Sequence, residues 1–78
     1  MKTLKNIHVG IIGIGYIGLS LALEISKKYS VIAYDKSRKR IKELNSNFDS
    51  TYEHNLKNTN TSNIKFTYST SNLYKCNI

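Results

Sequence analysis

The chain has 78 residues, a single cysteine, 40% hydrophobic residues and a formal net charge of +7. A chain this short buries only about 60% of its unfolded surface, so it is one small domain or a portion of a larger one. Lone Cys76 excludes an internal disulfide framework, and His8 and His54 stand far apart with no partners at ligand spacing, so no metal centre is expected.

Ile7, Val9 and Ile11 alternate with His8, Gly10 and Ile12, and the segment becomes continuously apolar toward its end. That pattern predicts a buried parallel strand reaching about Ile12. The apolar stretch from Ile11 to Leu23 is shorter than the roughly 20 residues a membrane span needs, and it is interrupted by Gly13, Gly15 and Gly18. Glu24 and further charged residues come after it, where a secretory leader would carry small residues for cleavage. A cytoplasmic chain without membrane attachment is the expectation. Ile17, Leu21, Ile25 and Tyr29 then recur every four residues, with Leu19, Ala22 and Leu23 widening the stripe. This predicts an amphipathic helix from about Tyr16 to Tyr29, with Lys27 and Lys28 at its negative end.

Val31 to Tyr34 reads as a short buried strand ending at Asp35, and Ser37 as the cap of a helix over Arg38–Leu44. Five of the twelve basic residues, Lys36, Arg38, Lys39, Arg40 and Lys42, cluster here. No aromatic ladder or nucleic-acid motif accompanies them, so the run reads as a solvated helix face and no nucleic-acid partner is expected. The Asn-, Ser- and Thr-rich stretch from Asn45 to Asn63 is a long connection, with one helical turn expected around Glu53 to Lys57. Ile64 to Tyr68 alternates as a third strand, Ser69 to Lys75 forms a turn or short helix, and Cys76-Asn77-Ile78 opens another strand. Cys76 reads as a small buried hydrophobe.

Gly13-Ile14-Gly15-Tyr16-Ile17-Gly18 has the pattern G-x-G-x-x-G, placed after a buried strand and at the opening of a helix. Gly13 permits a sharp exit from the strand, Gly15 lets a diphosphate approach the backbone, and Gly18 lets the helix pack closely. The helix start adds unpaired N–H groups and partial positive charge. A glycine-rich turn that binds nothing would share this pattern, but Asp35 comes 22 residues after Gly13, at the end of the next strand. A carboxylate there can accept hydrogen bonds from both adenosine ribose hydroxyls and repels a 2′-phosphate, which selects NAD over NADP. Arg38 and Arg40 are the side chains that could meet a 2′-phosphate instead. With Asp35 present, the simpler place for Arg40 is near the adenosine end of the cofactor.

The run from Val9 to Leu19, above all Gly15-Tyr16-Ile17-Gly18-Leu19, closely resembles the start of the UDP-glucose/GDP-mannose dehydrogenase family of NAD-dependent nucleotide-sugar 6-dehydrogenases. Tyr34 to Ile41 resembles the family's second block, in which a basic residue lies five positions after the acid. Phe48-Asp49-Ser50-Thr51, Glu53 and Ile64 to Thr67 resemble the branch acting on UDP-N-acetylhexosamines, such as UDP-N-acetylglucosamine 6-dehydrogenase. Asn47, or its neighbour Ser46, stands where the family usually has glycine, so a different turn is expected there. Asp49, Thr51 and Glu53 themselves suit capping or turn formation.

The resemblance implies an α/β fold: a partial Rossmann domain with a parallel sheet of about three strands, residues 1–78 forming its N-terminal part. It implies Gly13, Gly15, Tyr16, Ile17, Gly18, Asp35 and Arg40 as cofactor contacts, Tyr16 and Ile17 mainly through backbone and packing. The implied reaction is a four-electron oxidation of a sugar C6 hydroxyl to a carboxylate through a thiol-bound intermediate, with two hydrides passed to two NAD molecules. It would serve the making of surface polysaccharide precursors. No catalytic residue carries over, because the family's thiol and its partners lie further along than this chain reaches. An inactive cofactor module is therefore expected, with the UDP-sugar bound, and subunits associated, only in full-length members. A non-catalytic nucleotide-binding regulatory module and another Rossmann dehydrogenase, such as a hydroxyacid type, are the rival readings.

Overall fold

A computed structural model describes residues 7–47, 56 and 59–78. Strand β1 (His8–Ile12) leads through the glycine-rich turn into helix α1 (Tyr16–Ile25), strand β2 (Ser30–Tyr34), helix α2 (Arg38–Asn45) and strand β3 (Ile64–Thr67), with a 3₁₀ turn at Thr70–Lys75 after it. All three strands are parallel, in the order β1-β2-β3, with His8 opposite Ser30 and Val31 opposite Ile64. This is the βαβαβ half of a Rossmann fold.

The fourth neighbour is short. Beyond the 3₁₀ turn the chain returns to the free flank of β1, where the Asn77 N–H donates to the His8 carbonyl at 2.9 Å and the Gly10 N–H to the Ile78 carbonyl at 2.8 Å. The expected opening of another strand at Cys76–Ile78 is therefore present as backbone pairing, and it gives the spatial order β3-β2-β1 and then 76–78.

Alternation in the strands decides the core. Val9, Ile11, Val31, Ala33, Ile64 and Phe66 point one way and are buried with Leu19 and Ala22 of α1 and Ile41 and Leu44 of α2. On the other side of β1, Gly10 leaves room for the 3₁₀ turn and for Cys76 just beyond it: a Cβ at Gly10 would lie 3.1 Å from Cys76 Sγ and 3.4 Å from a Leu73 methyl carbon. Cys76 is half-buried there rather than enclosed.

Three local readings need correction. Helix α1 stops at Ile25, not Tyr29, and Lys27 and Lys28 lie beyond it. The Ser26 N–H still reaches Ala22, but the Lys27 and Lys28 N–H groups bond back only three residues, to Glu24 and Ile25, as the chain tightens toward β2. Buried Ser26 turns its hydroxyl onto the Leu23 carbonyl at 2.8 Å. Tyr29 keeps the four-residue spacing because it packs against the core from outside the helix. Strand β3 ends at Thr67, one residue before Tyr68. After α2, Asn47 takes φ 60°, the left-handed conformation glycine favours. Asparagine tolerates it, so the turn keeps the form a glycine would give. Of the expected turn at Glu53 to Lys57 only Leu56 is described, buried in the core; Phe48 to Ser50, Thr51 and Glu53 also lie outside the described residues.

Candidate functional site

The turn between β1 and α1 is fixed by close approach. Gly13 leaves the strand at φ +93°, in the left-handed region, and its N–H donates to the Tyr34 carbonyl at 2.8 Å, holding it against the end of β2. Above it, a Cβ at Gly18 would lie 2.0 Å from the Gly13 carbonyl oxygen, so only glycine lets the first turn of α1 sit this low on the strand. Gly15 is the opposite case. It caps α1 without a side-chain hydrogen bond, and a Cβ there would meet nothing within 4 Å. The N-terminal end of α1 thus opens on unfilled space, with no acidic side chain in its first turn to compete for an anion.

Asp35 faces this turn. Its Oδ2 accepts the Ile14 N–H at 2.9 Å and its Oδ1 accepts the Ser37 N–H at 2.9 Å. Partial burial pushes the carboxyl upward, but those two hydrogen bonds and the positive charges of Arg40 and Lys36 outweigh it and hold the group below its ordinary value. Asp35 is therefore an anion at neutral pH, with lone pairs left over at the rim of the turn. An open cleft of about 290 Å³ lies between the ends of β1 and β2, lined by Ile12, Gly13, Tyr34, Asp35 and Lys36.

Arg40 comes to the same place from α2. Its Nε donates to the Ile14 carbonyl at 2.6 Å, and its Nη1 pairs with Glu43 at 3.2 Å, both side chains being largely buried. Its own N–H donates to the Ser37 hydroxyl at 3.2 Å. Four hydrogen bonds therefore close a ring through Asp35, Ser37, Arg40 and Ile14. Nothing in the spacing of the sequence announces this ring, because its corner at Ile14 is made of backbone. Arg38 is engaged elsewhere, 4.9 Å above the ring of Tyr68. Tyr16 and Ile17 are 51% and 76% exposed at the helix start, and Ile12 is 74% exposed beside them.

A second hollow, between Leu23–Lys27 and Thr59–Asn63, lies at the far end of the strands. Its buried hydroxyl, Ser26, is already bonded to Leu23, and the Asn63 amide to the Ser26 carbonyl at 3.1 Å. The unpaired N–H groups at the open start of α1 and the anionic Asp35 carboxylate instead meet at one turn, where the first can take an anion and the second can accept hydrogen bonds.

Known proteins resemble this chain over nearly its whole length. The chain is 38% identical over 76 residues to UDP-N-acetyl-D-glucosamine 6-dehydrogenase of Pseudomonas aeruginosa, covering 96% of this chain and 18% of that protein. It is 40% identical over 73 residues to protein CapL of Staphylococcus aureus, covering 90% and 16%, and 35% identical over 80 residues to UDP-N-acetyl-D-glucosamine 6-dehydrogenase of Salmonella typhi, covering 99% and 18%. The chain thus spans less than a fifth of the length of these relatives. No solved structure matches it. Among the described residues no helix is long and apolar enough to cross a membrane. The NAD binding domain of the UDP-glucose/GDP-mannose dehydrogenase family matches residues 7–78, and this chain belongs to that family.

Proposed function

We propose that these residues hold NAD for the oxidation of the C6 hydroxyl of a UDP-sugar, a UDP-N-acetylhexosamine, to a carboxylate. The observation carrying the cofactor half is the pairing of open space over Gly15 with the anionic Asp35 at the turn's rim. In this reading the Gly15 backbone and the first turn of α1 receive the diphosphate, Gly13 and Gly18 shape the seat, and Tyr16 and Ile17 contribute backbone and apolar cover. Asp35 accepts from the adenosine ribose hydroxyls. Bound there, NAD supplies the hydride acceptor. Arg40 is held inward by Ile14 and Glu43, and the anionic Asp35 repels a 2′-phosphate, which supports NAD over NADP.

The sugar half rests on the names of the relatives from Pseudomonas aeruginosa and Salmonella typhi. The family match speaks against a hydroxyacid-type dehydrogenase. We read the 78 residues as the N-terminal part of the cofactor domain, the sugar nucleotide and subunit association belonging to a longer protein, in the cytoplasm, on a route to polysaccharide precursors. Calorimetric titration tests the cofactor half: the chain should bind NAD at least about tenfold tighter than NADP, and Asp35→Ala should weaken NAD and narrow that ratio. Equal affinities in both proteins would remove Asp35 from the site. Given NAD and UDP-N-acetylglucosamine, the chain should form no NADH; its appearance overturns the division of labour.

A further inference from the structure

The geometry points to Arg40 as a positioning residue that pre-forms the diphosphate turn, acting through the Ile14 carbonyl and braced by Glu43; this rests on the cofactor reading above. Ile14 is the residue between the first two glycines, fully buried, and both of its backbone polar groups are gripped by side chains from elsewhere: its N–H by Asp35 at 2.9 Å and its carbonyl by Arg40 at 2.6 Å. The two peptide units on either side of its Cα are therefore fixed from outside the turn. On their other sides stand Gly13 and Gly15, the residues whose backbone freedom would otherwise let the seat wander.

The brace is built for direction. Arg40 occupies the first turn of α2, its N–H tied to the capping Ser37 hydroxyl, and Ser37 in turn donates to Asp35. The guanidinium is a planar fork: Nε is spent on the Ile14 carbonyl and Nη1 on Glu43, side chains only 11% and 15% exposed. A guanidinium so placed holds the Ile14 carbonyl through Nε whatever its remaining N–H groups meet. Because the turn must offer its N–H groups in one arrangement to a diphosphate, a donor that fixes the turn before binding raises affinity by removing the cost of ordering it.

The test separates turn from contact with two ligands. Wild-type chain, Arg40→Met, Arg40→Lys and Glu43→Gln are titrated with ADP and with adenosine, binding being monitored by amide chemical shifts. Arg40→Met should weaken ADP about tenfold and adenosine less than about twofold, Arg40→Lys should recover most of the ADP affinity by restoring a donor, and Glu43→Gln should weaken ADP a few-fold. In ligand-free protein the Ile14 and Gly15 amides should exchange about tenfold faster in Arg40→Met than in wild type. If Arg40→Met does not fold, Arg40→Lys and Glu43→Gln carry the same comparison. Equal losses for ADP and adenosine, or unchanged exchange at Ile14, overturn the positioning role and leave the cofactor reading standing. A wild-type chain that binds neither ligand overturns both.

Discussion

The Asp35 carboxylate accepts the Ile14 N–H at 2.9 Å across 21 residues of chain, joining the end of β2 to the middle of the glycine turn. A residue expected to hold a ribose thus also holds the backbone beside it. Loss of its charge is felt at two places, and so changes at this position must be read as both binding and folding effects.

The pH response comes from the sign of the Asp35 shift. Its carboxyl titrates below its ordinary value, so the stabilisation from the ionised form is fully present above the unfolded-state value of about 3.9 and is lost as pH falls through the lower folded value. The stability gap between wild type and Asp35→Asn should be constant from pH 7 to about 5 and should shrink below about 4. Urea unfolding at a series of pH values measures it; a gap that already closes near neutrality would contradict the assignment.

Gly15 and Gly18 should separate binding from folding. Alanine at Gly18 would bring its Cβ to 2.0 Å from the Gly13 carbonyl oxygen, forcing α1 off the strand at a cost of about 2 kcal/mol or more. Alanine at Gly15 meets no protein atom within 4 Å, and its cost to stability should be the ordinary one for alanine at an N-cap, up to about 1 kcal/mol. Its methyl group would nevertheless stand in the diphosphate's path. NAD affinity should fall more than about tenfold in Gly15→Ala, in protein whose unfolding midpoint has barely moved.

Much of this is legible in the sequence, for physical reasons. Val9 and Ile11 alternate because one face of β1 meets the helices, and the glycines declare themselves because a side chain at φ +93° is strained and none fits over the Gly13 carbonyl. Tyr29 misleads because helical spacing and packing from a later turn bury the same kind of side chain. Distance from Asp35 places Arg40 near the cofactor, but its inward aim depends on a backbone carbonyl, which carries no letter of its own. The missing glycine after α2 likewise hides nothing, since Asn47 adopts the same backbone form.

Arg38 and Tyr68 lie on the outer side of this region, the guanidinium carbon 4.9 Å from the ring centroid. Both are exposed, so their coupling should be about 0.5–1 kcal/mol. A double-mutant cycle of Arg38→Ala and Tyr68→Ala by thermal unfolding reads it directly. Full additivity of the two changes would show that the stacked arrangement adds no stability.

Cys76 reports on the flank of β1. Burial pushes its thiol above the ordinary value, so alkylation at pH 8 should be slower than for a free thiol. Gly10→Val would drive a side chain into Sγ, 3.1 Å from where a Cβ would stand. Alkylation should then accelerate several-fold as residues 76–78 lose their seat. An unchanged rate would mean that Gly10 is not what admits them.

The pairing of Asn77 and Ile78 with β1 makes a border strand into an interior one. The connection leaving β1 swings toward β2, while the chain arriving from β3 has travelled past both strands to settle on the other flank. With β2 on one side and Asn77 and Ile78 on the other, the backbone of β1 at His8 and Gly10 is paired on both flanks and is not left open to another chain.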